Sequence, residues 1–216
     1  IPMNGVETLT KVPGYLFATT KKGIHSYSAN GARQFFGVPE ELPVTVNTKF
    51  DLASLTKIVG TTASLLHLVE LGELQVTDLA CKYLEPWQGT DKSEITIAEL
   101  LSHQSGLAEW RPLYFTDNLQ ENVAKQISRI PLTYPRNSGR RYSDLGFISL
   151  GEIVKAITGK DLPIAFAELV FNPLGMHSTS FGPITGEVVA TSNGDWYEKN
   201  MVTTNTPYQI DHDVSE

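Results

Sequence analysis

One pair of strand-like runs is followed by four or five helical segments, an order that leaves few architectures open to the chain. Residues 15–20 and 24–28 are short β-prone runs, and Lys21-Lys22-Gly23 between them reads as a glycine-containing hairpin turn. A two-stranded hairpin is marginal in water and needs further strands or a packed helix. The segments after it are mainly helical. Residues 37–43 read as loop and 44–52 as extended chain, leading into a helix over about 54–71 that Gly72 stops. Thr96 and Glu99 form a capping box ahead of Ile97, Leu100 and Leu101, which predicts a short helix ending near His103. Further helices are expected over about 118–130, through Leu145, Ile148, Ile153, Val154 and Ile157 to Gly159, and from Asp161 and Pro163 to about Phe171.

Beyond Asn172, the residues Pro173, Gly175, Gly182, Pro183, Gly186 and Gly194 leave little room for regular elements, and no second run of strands precedes Glu216. The expected organisation is one domain in three stretches: hairpin and lead-in over 1–53, a mainly helical region over 54–182, and an irregular stretch over 183–216. Because the sheet is incomplete on this reading, the chain is expected to be the N-terminal part of a larger domain.

Composition narrows the function classes. The chain has 216 residues, 41% hydrophobic and 19% charged, ordinary for a chain that buries a core. Its net charge of -7 is spread along the sequence, so nucleic acid is not an expected partner. Arg136, Arg140 and Arg141 are too small a cluster for such a footprint and read as a solvated loop, with local salt bridges or substrate contact as alternatives. Cys81 is the only cysteine, which excludes an internal disulfide and a cysteine-based metal site; it is expected to be buried and inert. The longest apolar stretch, 58–71, is broken by Thr61, Thr62, Ser64, His67 and Glu70 and falls short of the roughly 20 apolar residues of a membrane span. No charged segment followed by an apolar one opens the sequence, and the compartment stays unassigned.

Three segments carry chemistry. Ser54-Leu55-Thr56-Lys57 is a Ser-x-x-Lys. On a helix, positions i and i+3 share a face, so hydroxyl and amine come within reach of each other. A serine hydroxyl is a poor nucleophile until a base takes its proton, and a lysine of lowered pKa can be that base. The helix start also favours developing negative charge, with the Ser54 N–H a candidate oxyanion donor. With 15 serines and 11 lysines, chance alone yields about 0.8 such pairs, so a serine cap beside a solvated lysine is the favoured reading of the motif taken alone. Tyr142-Ser143-Asp144 lies between a glycine-containing loop and a helix start; Tyr142 could relay a proton, or pack as an aromatic with Ser143 or Asp144 capping the helix. Leu100-Leu101-Ser102-His103-Gln104-Ser105-Gly106-Leu107 ends a helix. No G-x-S-x-G elbow accompanies His103, which is therefore read as structural, stabilising the terminal carbonyls of its own helix.

In this order and at these spacings, the three segments resemble the serine β-lactamase-related family, which includes class C β-lactamases, D-alanyl-D-alanine carboxypeptidases and related esterases. The matching stretches are Lys49-Phe50-Asp51-Leu52-Ala53-Ser54-Leu55-Thr56-Lys57, the segment from Leu100 through Leu107, Arg141-Tyr142-Ser143-Asp144-Leu145-Gly146-Phe147, and Asn172-Pro173-Leu174-Gly175-Met176. The similarity runs from about Val12 to about Gly182. It implies a β-lactamase/transpeptidase-like α+β fold, an α/β sandwich-type sheet plus an all-helical subdomain, with the C-terminal strands lying outside this chain. It also implies an acyl-enzyme hydrolase with no metal or organic cofactor, acting on a small-molecule or peptide ester or amide. On that resemblance Ser54 is the acylated nucleophile, Lys57 its proton-handling partner, Tyr142 the assistant in proton transfer, and Asp144 a substrate-binding position.

Two departures stand out. The family's Tyr-x-Asn is here Tyr-x-Asp, and the Asp144 carboxylate is expected to hold Lys57 charged and weaken it as a base. The family's third motif, Lys/His-Thr/Ser-Gly, does not follow Tyr142. The competing reading is a non-catalytic relative that binds a peptide or cell-wall fragment in the same cleft.

Overall fold

The computed structural model describes residues 14–33, 42–114 and 122–191. They fall into two compact units, one of residues 14–33, 42–52 and 181–191, the other of residues 53–114 and 122–180.

The first unit is built on the hairpin. Strand β1 (Gly14–Lys21) pairs antiparallel with β2 (Ile24–Gly31), with Lys21 opposite Ile24 and Gly14 opposite Gly31. The two turn residues, Lys22 and Gly23, have φ of 51° and 77°, the left-handed pair whose twist matches that of the flanking strands. At the far end, Val44 N donates to Gly31 O at 2.8 Å. A side chain at Gly14 would put its Cβ 2.5 Å from Val44 Cγ2, so the close approach of these segments requires glycine there. Lys49 bridges in parallel to Val188 and is bonded on both sides, to Glu187 O at 2.7 Å and from Val189 N at 3.0 Å. The Glu187 carboxylate accepts from Thr45 Oγ1 and Thr48 Oγ1, tying the 181–191 segment to this unit.

The second unit is helical. Its first run starts as a 3₁₀ turn at Ala53–Leu55, continues as π-helical turns at Lys57–Thr62, and becomes regular in α1 (Ala63–Glu70) before Gly72 at φ 76° ends it. The helix expected over 54–71 is present, but its first half is not α. At Gly60 an added Cβ would fall 2.4 Å from Phe166 Cε2; the Phe166 ring lies directly on the backbone of the π segment. Helix α2 (Ile97–Leu101) has the expected capping box, with Thr96 Oγ1 accepting from Glu99 N at 3.2 Å and Glu99 Oε2 accepting from Thr96 N at 2.7 Å. Helix α3 (Val123–Ser128) covers part of the helix expected over 118–130, of which residues 118–121 lie outside the described residues.

Helix α4 (Asp144–Thr158) is the central element of this unit. Ser143 caps it, Oγ accepting from Gly146 N at 3.1 Å, and Gly159 at φ 67° closes it with the left-handed residue typical of helix ends. Its Leu145, Leu150, Ile153 and Val154 are fully buried among Leu65, Ile97, Leu100, Trp87, Ile127 and Phe166. Each such side chain contributes about 1.5–3 kcal/mol by leaving water. Helix α5 (Leu162–Phe166) and a π turn at Ala167–Phe171 complete the unit, and Trp87 Nε1 satisfies its buried N–H on Ala124 O at 3.1 Å. Cys81, expected to be buried, is only half-buried; its thiol donates to Ser93 O at 3.1 Å. Among the described residues no helix is long and apolar enough to cross a membrane.

Candidate active site

Ser54, Lys57, Tyr142 and Asp144 all lie in the helical unit, and the fold brings them together although 85 residues of sequence separate Lys57 from Tyr142 (142 − 57). Ser54 sits in the 3₁₀ turn immediately after Ala53, whose φ of 42° is left-handed. For an alanine that conformation costs about 1–2 kcal/mol, held here by the turn that delivers the hydroxyl. One turn on, Lys57 Nζ donates to Ser54 Oγ at 3.3 Å, and its charge pairs with Asp144 Oδ1 at 2.6 Å. The same ammonium lies 4.9 Å from the centroid of the Tyr142 ring and 6.0 Å from that of Phe147.

The electrostatics are lopsided. Burial pulls the Lys57 amine down, but hydrogen bonding to Asp144 and Tyr142, with the Asp144 charge, outweighs it and holds the amine above the usual lysine range. The Tyr142 phenol moves the other way: hydrogen bonding with Lys57 and then with Ser54 pulls it below the usual tyrosine range, against burial and the Asp144 charge. The amine is thus kept as a cation and the phenol is the group made easier to deprotonate. Tyr142 is 46% exposed, within reach of an incoming molecule.

What holds Tyr142 is the turn after α2, whose backbone acts as a template for residues 133–144. Thr133 N and Tyr134 N donate to Gly106 O, Asn137 N to Gln104 O, Arg141 N to His103 O, Ser143 Oγ to Ala108 O and Asp144 N to Glu109 O, at 2.6–3.2 Å. Gly106 is at φ 82°, and a Cβ there would fall 2.3 Å from Tyr134 O. Glu99, buried on α2, accepts from Arg136 Nε and Nη2 and from Asn137 Nδ2 at 2.6–3.1 Å, anchoring the same loop. Burial opposes its charge, yet hydrogen bonds from Thr96, Arg136 and Asn137 leave the carboxyl below the usual range.

One sequence expectation needs correction here. His103 does not serve the carbonyls of its own helix; its Nδ1 accepts from Ser143 N at 3.0 Å and its ring packs on Tyr142 and Phe147. Of the arginine cluster, Arg140 and Arg141 are exposed, as a solvated loop would have them, and Arg141 lies over the Tyr134 ring at 5.1 Å; Arg136 instead takes the salt-bridge alternative, paired with Glu99. The anchoring roles of Glu99 and Gly106 are not legible in the sequence, where the only signals are the glutamate of a capping box and a glycine after Ser105.

The description "Beta-lactamase" belongs to the family model that matches residues 6–210. The chain belongs to the Beta-lactamase family. The chain is 30% identical over 190 residues to a protein of Bacillus subtilis (strain 168) described as N-acetylmuramyl-L-alanine amidase, covering 80% of this chain and 43% of that one. It resembles the crystal structure of a class C β-lactamase, with a TM-score of 0.73 and 20% identity, over 98% of this chain and 56% of that one. It also resembles the structure titled "EstCE1, a hydrolase with promiscuous acyltransferase activity", with a TM-score of 0.73 and 22% identity, over 88% of this chain and 54% of that one. The fold is of the β-lactamase/transpeptidase type, and the chain spans about two fifths of the length of the amidase that it matches.

Proposed function

We propose that this Beta-lactamase family member is part of a serine hydrolase that cleaves an ester or amide through a covalent acyl-enzyme on Ser54. The observation that carries the reading is the position of Lys57 Nζ between Asp144 at 2.6 Å and Ser54 Oγ at 3.3 Å, beside a Tyr142 phenol of lowered pKa. With Asp144 keeping Lys57 protonated, the proton acceptor is Tyr142 as phenolate, and the Lys57 ammonium stabilises that anion. Ser54 Oγ attacks the carbonyl carbon as its proton passes to Tyr142 Oη, giving a tetrahedral oxyanion. Collapse breaks the bond to the leaving alcohol or amine, which takes the proton from Tyr142, and leaves the acyl group on Ser54. Water then attacks the acyl carbon by the same route, its proton passing to Tyr142 and back to Ser54 Oγ, and the acid departs.

Support at the level of substrate class comes from the relatives: one is described as an amidase and one as a hydrolase with acyltransferase activity. Broad esterase or peptidase action on a small molecule or peptide ranks above efficient β-lactam hydrolysis, because Asp144 replaces the amide side chain of the family's Tyr-x-Asn. The test is kcat/KM for p-nitrophenyl acetate in the full-length protein and in Ser54→Ala. A loss of at least about a thousandfold in the variant is expected; an undiminished rate sinks the assignment of Ser54.

A further inference from the structure

His103 is a buried titratable side chain that the proposed acyl transfer does not use, and its surroundings are those of a built site. It is 7% exposed and has φ of 59°, a backbone conformation that glycine adopts with least strain. The contacts of the side chain account for a histidine at that position. Arg141 N donates to the His103 carbonyl at 2.8 Å and Ser143 N donates to the His103 Nδ1 at 3.0 Å, so both chain neighbours of Tyr142 are fastened to this one residue. Its ring centroid is 4.6 Å from that of Tyr142, and 4.9 Å from that of Phe147 on α4.

We propose that His103 is a positioning residue for Tyr142: its neutral imidazole, accepting the Ser143 amide at Nδ1 and backing the Tyr142 ring, fixes the phenol toward Lys57 and Ser54. The catalytic part of this inference rests on the hydrolase reading above.

Because Nδ1 accepts a backbone N–H, the single proton of the neutral ring is on Nε2. A second proton on Nδ1 would face the Ser143 N–H, donor against donor, and would put a cation against a phenol that already neighbours Lys57. The charged groups acting on the ring are Arg140 and Lys57, which oppose protonation, and Asp144, which favours it; Tyr142 is the other titratable group packed on it. Burial is the largest influence and also keeps the ring neutral, so the arrangement is stable at neutral pH and is released as pH falls.

His103→Asn in the full chain separates positioning from folding. Asparagine accepts a left-handed backbone, and its side-chain oxygen can take the Ser143 amide, but it supplies no ring. Tyr142 ionisation is read as the tyrosinate absorbance of each protein minus that of its Tyr142→Phe counterpart. In His103→Asn it is expected to move up toward the ordinary tyrosine range, with kcat on p-nitrophenyl acetate falling about tenfold to a hundredfold. Added to Tyr142→Phe, the His103 change is expected to cause no further loss of kcat. An unmoved Tyr142 titration, or losses that multiply in the double variant, overturns the proposal. If the variant does not fold, nitrogen NMR of the unmutated imidazole decides: the proton on Nε2 supports the proposal and the proton on Nδ1 overturns it. If Ser54 takes no acyl group, the hydrolase reading fails, while the tyrosinate titration and the tautomer still report on His103.

Discussion

Replacing Asp144 by asparagine removes the charge that keeps Lys57 a cation while leaving a side chain of the same shape. The pair is in contact at 2.6 Å, with 16% of the Lys57 side chain and 37% of the Asp144 side chain exposed. Two unit charges 4 Å apart near a protein surface attract by about 4 kcal/mol before further screening. Fully exposed pairs retain about 0–1 kcal/mol, and hydrogen bonds to charged groups about 1.5–3 kcal/mol. A partly buried pair falls between these, at about 1.5 kcal/mol, and its loss should bring the Lys57 amine down in Asp144→Asn. In the proposed mechanism the alkaline limb of kcat/KM reports loss of the Lys57 ammonium, so that limb should move to lower pH. The assay is the pH profile of p-nitrophenyl ester hydrolysis by the parent and variant, with spontaneous hydrolysis subtracted. An alkaline limb that stays in place or moves to higher pH refutes the idea that Asp144 sets the charge of Lys57.

Glu99→Ala should destabilise the protein by about 1.5–3 kcal/mol in thermal unfolding, since it removes a capping partner and the shared acceptor of Arg136 and Asn137; a loss below about 0.5 kcal/mol would show that the loop does not depend on it. The depressed Glu99 carboxyl contributes stability that is present above the ordinary value of 4.5 and is lost as pH falls through its lower folded value. His103 adds a second acid-sensitive contribution: the unfolded chain protonates first, so stability falls as pH drops below the ordinary 6.5. Denaturant midpoints measured from neutral to acid pH should therefore decline, with the Glu99 part of the decline missing in Glu99→Ala. Gly106→Ala, forcing a Cβ to within 2.3 Å of Tyr134 O at φ 82°, should lower stability by more than about 1 kcal/mol and reduce esterase activity, measured as Tm and kcat.

What sequence reveals of this fold is what short-range chemistry decides. The turn at Lys22-Gly23, the Thr96–Glu99 box and the Gly159 helix end each depend on residues at most four apart, and each is where the pattern put it. The Ser-x-x-Lys spacing is similarly local, and the 3.3 Å contact follows from one helical turn. The π-helical turns over Lys57–Thr62 were not legible, because what lies on them is Phe166, more than a hundred residues away. The clamp of Glu99 on Arg136 spans 37 residues, and the direction of the His103 ring is fixed by an amide 40 residues on. No periodicity encodes such contacts. The same holds for Tyr142, whose motif marks a helix start but does not say which side chains the preceding loop lies against.

Whether Ser54 becomes covalently acylated is decided by the intact mass of the full-length protein after brief exposure to p-nitrophenyl acetate, beside Ser54→Ala. One acetyl adduct is expected on the parent and none on the variant. Folded parent protein that carries no adduct, or an adduct that persists in Ser54→Ala, would sink the acyl-enzyme and favour a relative that binds a peptide or cell-wall fragment without cleaving it.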